Sequence, residues 1–270
     1  MFALYRSLYA YDRTPLDARV DAVDDRADHW RVEQISFAAA YGNERVPALL
    51  YVPKNAPRPF QTVVHFPGSN AFQPQAIASA VDVEGDWFFF LLRSGRAVLF
   101  PLYKGTYERH LVGLFELPYV WRDVMVYPSK DLGRAIDYLE TRADIDTARL
   151  AYLGLSMGAG AGPIMTAIER RFKASVLLGG GLYFWRRPPE SDALNFAPRV
   201  AVPTLMINGR HDFFFPRESS QAALFRLLGT PPAHKRHRLF ESGHIPTERQ
   251  EVMKDVLDWL DRYLGPVALR

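Results

Sequence analysis

The sequence predicts an α/β domain, with a mostly parallel central sheet, helices on both of its faces and no large lid domain. Three observations carry this. Beyond residue 60, short apolar runs alternate with longer amphipathic segments. Gly and Pro punctuate the boundaries of those runs. Finally, 270 residues that are 48% hydrophobic and 23% charged suit one large globular domain and argue against disorder.

The elements follow in order. Residues 1–29 are polar, with five Asp between Asp17 and Asp28, and read as an N-terminal arm or short helices packed on the surface. The domain proper is expected over residues 30–270. Val32, Ile35 and Phe37, then Val46 to Val52, read as two strands joined at Gly42-Asn43. A three-proline loop leads to the strand Thr62–Phe66, which Pro67-Gly68 ends. Glu84 to Ser94 reads as a helix closed by Gly95, before the strand Ala97–Phe100. Ser129 to Thr141 puts Leu132, Ala135, Ile136 and Leu139 on one helical stripe. Further strands are expected at Leu150–Leu153, Ala174–Leu178, Thr204–Ile207 and His237–Phe240. A helix from Pro216 to Leu228 separates the last two, and Gly229 stops it. Thr247 and Gln250 form a candidate capping box for the C-terminal helix.

Composition excludes several classes of function. There is no cysteine, so disulfides, thiolate metal sites and a Cys nucleophile are all absent. A net charge of +3 is too small to predict nucleic-acid binding. No apolar run approaches the roughly 18 residues of a membrane span. The first residues lack the apolar stretch and cleavage site of a secretory leader, so a cytoplasmic location is expected.

Parallel sheets place ligands at the carboxyl ends of their strands. There, after Leu150–Leu153, stands Gly154-Leu155-Ser156-Met157-Gly158. A serine on so tight a strand-to-helix turn is lifted above the sheet edge, and side chains two residues to either side would collide. The hydroxyl needs a base, and Glu241-Ser242-Gly243-His244 offers His244 after the last strand. The base needs an orienting carboxylate. Asp212, just past the strand Thr204–Ile207, precedes His244 by 32 residues, room for one helix and one strand. Glu241 is the competing acid. His211 lies on the wrong strand for the base, and His65 is expected to hydrogen-bond the loop that follows it. That loop, His65-Phe66-Pro67-Gly68-Ser69-Asn70, is where Gly68 would permit an unusual backbone. The amides of Ser69 and Met157 are the expected oxyanion donors. No cofactor and no metal are called for.

These residues resemble the α/β-hydrolase superfamily, above all its dienelactone hydrolase-like and acetyl xylan esterase/prolyl oligopeptidase-like branch. The resemblance rests on Arg149 to Ser156, on Asn208-Gly209 with Asp212 and Pro216, and on Ser242-Gly243-His244. It implies a Ser156, Asp212, His244 triad acting through an acyl-enzyme. There are departures. The nucleophile is serine rather than the cysteine of dienelactone hydrolases. The oxyanion loop is His-Phe-Pro-Gly rather than His-Gly, and Pro163 is expected to kink the helix after the serine.

The expected activity is that of a serine carboxylesterase on small, short-chain esters. The expected partner is a small-molecule ester, with no nucleic acid and no membrane. Two other readings are a prolyl oligopeptidase-like peptidase, which would lack its gating domain here, and a non-catalytic binding module. Two insertions, residues 103–127 and 182–202, supply aromatics to the pocket, among them Trp121 and Trp185 as candidate substrate-binding residues. Phe213, next to the acid, is the third, and at least one of Phe213, Phe214 and Phe215 is expected to face the pocket. Tyr107, Phe115 and Tyr119 lie in the first insertion, Tyr183 and Phe184 in the second. Arg186, Arg187, Lys104 and the basic run 234–238 read as solvated surface.

Overall fold

A computed structural model describes every residue except 75–80, 82, 83 and 112–116. Its strands are β1 (Arg19–Asp24), β2 (Trp30–Ala38), β3 (Arg45–Pro53), β4 (Phe60–Phe66), β5 (Ala97–Pro101), β6 (Ile145–Leu155), β7 (Phe172–Leu178), β8 (Thr204–Gly209) and β9 (Lys235–Phe240). They form one sheet in the order β1-β2-β3-β5-β4-β6-β7-β8-β9. β1, β2 and β3 pair antiparallel, as do β3 and β5; the remaining pairs are parallel. The chain passes from β4 to β5 on one side and returns to β6 on the other. The carboxyl ends of β4 and β6 therefore flank the crevice where the strand order reverses, the place such sheets reserve for ligands.

Two apolar cores lie on the two faces of this sheet. On one face pack α3 (Pro118–Glu140), through Leu132, Ile136 and Leu139, and α4 (Met157–Ile168), through Ile164 and Met165. On the other pack α2 (Phe89–Arg93), through Leu91 and Leu92, and α6 (Arg249–Leu264), through Val252, Val256 and Leu260. The central strands are buried along their whole length, which is why they read as unbroken apolar runs rather than alternations. Among the described residues no helix is long and apolar enough to cross a membrane.

Several local expectations change. Residues 1–29 supply α1 (Phe2–Leu8) and the edge strand β1, and Tyr9 is buried with its hydroxyl donating to the Glu190 carbonyl at 2.6 Å. β1 is almost wholly exposed, and its Arg19, Asp21 and Asp24 discourage pairing with another sheet edge. α3 begins at Pro118, eleven residues before the expected Ser129, and so absorbs the end of the first insertion. Pro128 concealed it. A proline inside a helix costs about 3 kcal/mol, but buried Val120, Trp121, Val124 and Met125 hold the first turns against the core. Helix α4 spans Met157–Ile168 with Pro163 inside it. The Thr247 capping box does not form: α6 starts at Arg249 after Glu248, with no side-chain cap. Phe115 lies outside the described residues.

Candidate active site

Ser156 sits between β6 and α4 with φ 49° and ψ −104°, a strained backbone for a residue with a Cβ. The crowding expected at the flanking glycines is there. A Cβ on Gly154 would come within 2.4 Å of the Gly158 carbonyl oxygen, and one on Gly158 within 2.3 Å of the Phe66 carbonyl oxygen. The turn is held by backbone bonds. Ser156 donates to Leu178 at 2.7 Å, Gly158 to Pro67 at 3.1 Å, and Gly160 to Ser156 at 2.9 Å.

Three strand ends converge on this hydroxyl. Ser156 Oγ lies 2.7 Å from His244 Nε2, and His244 Nδ1 lies 2.8 Å from Asp212 Oδ2. With the Nδ1 proton facing the carboxylate, Nε2 offers its lone pair to the serine hydroxyl. Asp212 is buried and its other oxygen accepts the amides of Phe214 at 2.8 Å and Phe215 at 3.0 Å. Those bonds fix the carboxylate's direction, and the rings of Phe214 and Phe215 flank the imidazole at 4.9 and 5.9 Å. Glu241, the competing candidate, does not meet His244. It is 68% exposed and pairs with Arg210 and His211 instead.

On the far side of Ser156 lies the loop after β4. A Cβ on Gly68 would sit 3.7 Å from the Ser156 Cβ, so loop and nucleophile are adjacent. Ser69 opens a 3₁₀ turn (Ser69–Phe72) and Met157 opens α4. First residues of helical turns have amides with no acceptor inside the helix. Gly68 itself has φ −74° and ψ 177°, ordinary extended backbone, so the expected unusual conformation is not what positions the loop. A buried carboxylate does. Glu84 Oε1 accepts the Gly68 amide at 3.1 Å, while its Oε2 lies 2.8 Å from His65 Nε2. His65 thus reaches its loop through Glu84 rather than directly. Nothing in motif or spacing marks Glu84; its only sequence signal is an acid heading an aromatic run.

These residues wall a cavity of about 440 Å³, lined by Ser69, Met157, Ser156 and His244 and by aromatic rings. Trp121 and Trp185 are in the lining, with Trp87 and Tyr183 beside them. Phe213 is not. The two amide bonds to Asp212 fold Phe214 and Phe215 against His244 and the cavity, which leaves Phe213 72% exposed outside it. Among the cations, Lys104 pairs with Glu44 at 2.7 Å, and Arg236 and Arg238 pair with Asp255. Arg187 departs from the expected solvated surface: it is wedged among rings of the cavity wall.

Sheet order, strained serine turn and strand-end acid and base together define an α/β-hydrolase fold. Neither a scan against protein-family models nor a search of curated proteins finds a match. Solved structures do match. An acetyl xylan esterase from Paenibacillus sp. R4 superposes with a TM-score of 0.75 at 19% identity, covering 97% of this chain and 93% of that one. Acetyl xylan esterase 1 from Thermoanaerobacterium sp. JW/SL YS485 gives 0.74 at 15% identity with the same coverage. A glucuronoyl esterase from Solibacter usitatus gives 0.70 at 18%, over 97% and 92%. At such identities the likeness establishes the fold.

Proposed function

We propose that this chain is a serine carboxylesterase acting on small, short-chain esters through an acyl-enzyme. The observation that carries the reading is the hydrogen-bonded series Ser156–His244–Asp212 on a strained turn that opens into an aromatic cavity. The esterase names of the similar structures support it.

In this mechanism Ser156 Oγ attacks the ester carbonyl while His244 Nε2 takes its proton. The carbonyl oxygen becomes an oxyanion between the Ser69 and Met157 amides, whose hydrogen bonds strengthen as its charge grows. Collapse expels the alcohol, which leaves with the proton from His244. Water then repeats the sequence on the acyl-enzyme: it gives its proton to His244, attacks the acyl carbon, and releases the acid and free Ser156. Asp212 holds the imidazole with Nε2 toward the serine and stabilises its charged form throughout. Trp121 and Trp185 pack against the substrate. A cavity of about 440 Å³ suits a short acyl group.

A fluorophosphonate probe tests the reading. Wild-type protein should be labelled once, at Ser156, and Ser156→Ala should not be labelled. A panel of 4-nitrophenyl esters against matched anilides separates esterase from peptidase, and esters should be cleaved far faster. Absence of labelling would leave a binding module as the reading.

A further inference from the structure

The turn that carries Asp212 is closed from behind by a glutamine. Gln221 is wholly buried, and its Nε2 lies 2.9 Å from the Gly209 carbonyl oxygen and 2.8 Å from that of Phe215. Gly209 ends β8, and Phe215 follows the acid by three residues. One amide nitrogen therefore spans the segment around Asp212. Both partners can only accept, which settles how the amide faces: its nitrogen points at them and gives each a proton. The chain delivers Gln221 from a single π-helical turn, Arg217–Gln221, whose first three residues are exposed and whose last two are buried.

Phe215 is thereby held at both ends of its peptide unit. Its amide donates to Asp212 Oδ1 at 3.0 Å, and its carbonyl accepts from Gln221. Oδ1 also takes the Phe214 amide, so the direction of the carboxylate depends on where these two residues sit. Movement of Phe215 would turn the carboxylate and carry Oδ2 away from His244 Nδ1, which it meets at 2.8 Å. Packing alone does not call for a glutamine here. Its Oε1 is buried and meets no donor among the described residues, and a buried, unanswered acceptor opposes folding. Methionine fills nearly the same space without that atom. What methionine lacks is the two N–H groups, so those donors are what Gln221 contributes.

We propose that Gln221 is a positioning residue for the acid: by tying Gly209 to Phe215 it keeps the Asp212 carboxylate in line with His244. The inference rests on the esterase reading above and adds a residue to it. Gln221 is not among the residues that line the cavity, so it acts through Asp212 and not on the substrate. It does for the acid turn what Glu84 does for the loop on the other side of Ser156, where a buried carboxylate holds the Gly68 amide.

A double-mutant cycle tests this, with kcat and KM for a 4-nitrophenyl ester measured on folded protein well below each thermal midpoint. Gln221→Met removes the donors and keeps the volume. Beside Asp212 it should lower kcat by about tenfold and change KM by less than about twofold. In an Asp212→Asn background the same substitution should lower kcat by less than about twofold, because the charge it positions is gone. A side chain that served stability alone would lower kcat by the same factor in both backgrounds. Thr230→Val is the control: it removes another buried donor, 2.8 Å from the Val202 carbonyl oxygen. Its kcat should stay within about twofold of wild type. If Gln221→Met does not fold, Gln221→Glu takes its place. Burial raises a carboxyl's pKa and keeps it neutral, so it answers one carbonyl of the two, and kcat should fall by about threefold beside Asp212 only. A kcat within about twofold of wild type beside Asp212, an equal loss in both backgrounds, or an equal loss in Thr230→Val would overturn the inference while esterase activity stands. If wild type cleaves no ester and Ser156 takes no fluorophosphonate, the esterase reading has failed and this inference falls with it.

Discussion

Two histidine–carboxylate pairs stand beside the crevice at the carboxyl ends of the strands, and their geometry is nearly the same. His244 lies 2.8 Å from Asp212, and His65 lies 2.8 Å from Glu84. What differs is the second nitrogen of each ring. That of His244 meets the Ser156 hydroxyl at 2.7 Å, and the side chain is 19% exposed. That of His65 is buried with no partner among the described residues, in a side chain shut off from solvent and packed against Phe88 and Phe100. A base must exchange its proton with a reacting group, so only the first ring can serve. The second is a strut: through Glu84 it fixes the Gly68 amide and with it the loop on the far side of the nucleophile. In the proposed mechanism it is access to the second nitrogen, and not the pairing, that suits His244 and not His65 to the role of base.

The sharpest way to break this contrast is to remove what His244 acts on. Ser156→Ala should lower kcat/KM for a 4-nitrophenyl ester by about 10⁴-fold or more with little change in melting temperature. Retention of more than about a tenth of the activity would mean that another group attacks the ester.

Asp212→Asn comes next. An amide keeps the shape but loses the charge and can hold the ring in the wrong tautomer, so kcat should fall by about 10²- to 10⁴-fold with KM little changed. Glu241→Gln should be mild, since among the described residues Glu241 pairs with half-buried Arg210 and exposed His211. Stopped-assay kcat values for both variants decide the matter, and the reverse ranking would move the acid to Glu241.

Glu84→Ala probes the strut. It frees the Gly68 amide and leaves His65 buried without its carboxylate. We expect kcat to fall by about 10- to 100-fold, because the Ser69 donor loosens, with KM nearly constant. Breaking a buried pair should also cost about 3–5 kcal/mol, read as a clear drop in the thermal midpoint. Asp212→Asn should show no comparable drop. A Glu84→Ala protein with wild-type kcat would separate the loop from catalysis.

The sequence made one of these pairs legible and hid the other. Ser156, Asp212 and His244 each stand just past an apolar strand, in an order that the topology explains, so spacing alone brings them to one edge. Glu84 follows residues that carry no periodic signal, and it meets His65 only because β4 and the start of the helical run behind it face each other in three dimensions. The same limit applies to Arg187. Its neighbours Trp121 and Trp185 come from two separate insertions, and no local pattern tells a solvated arginine from one held between rings. Pro128 concealed the first turns of α3, since tertiary burial overrides local propensity. For Phe213 the proximity to Asp212 was right, but the turn made by that carboxylate carries the next two residues inward and leaves Phe213 outside.

A third histidine sharpens the comparison from the stability side. Among the described residues His237 has no carboxylate partner. Its Nε2 lies 3.1 Å from Asn208 Oδ1, and Asn208 donates its Nδ2 to the Gly180 carbonyl, which orients the amide. Nε2 is therefore the donor, and the neutral ring is satisfied as it stands. Burial, aided by the positive charge of Arg217, lowers the His237 pKa from 6.5 to about 4. The unfolded chain then binds a proton near pH 6.5 that the folded chain refuses until about pH 4. Stability from this group is accordingly present above pH 6.5, is lost as the pH falls from 6.5 to 4, and changes no further below that. The full shift would be worth about 3 kcal/mol, and partial exposure of the ring reduces this to about 2 kcal/mol. His237→Gln can donate to Asn208 without titrating. Thermal midpoints of wild type and His237→Gln at pH 7.5 and 4.5 isolate the effect, because every other titrating group cancels between the two proteins. Wild type should lose more on acidification, by about 4 °C. Equal losses would show that His237 charges freely in the folded chain, and that a neutral partner and burial do not hold its proton off.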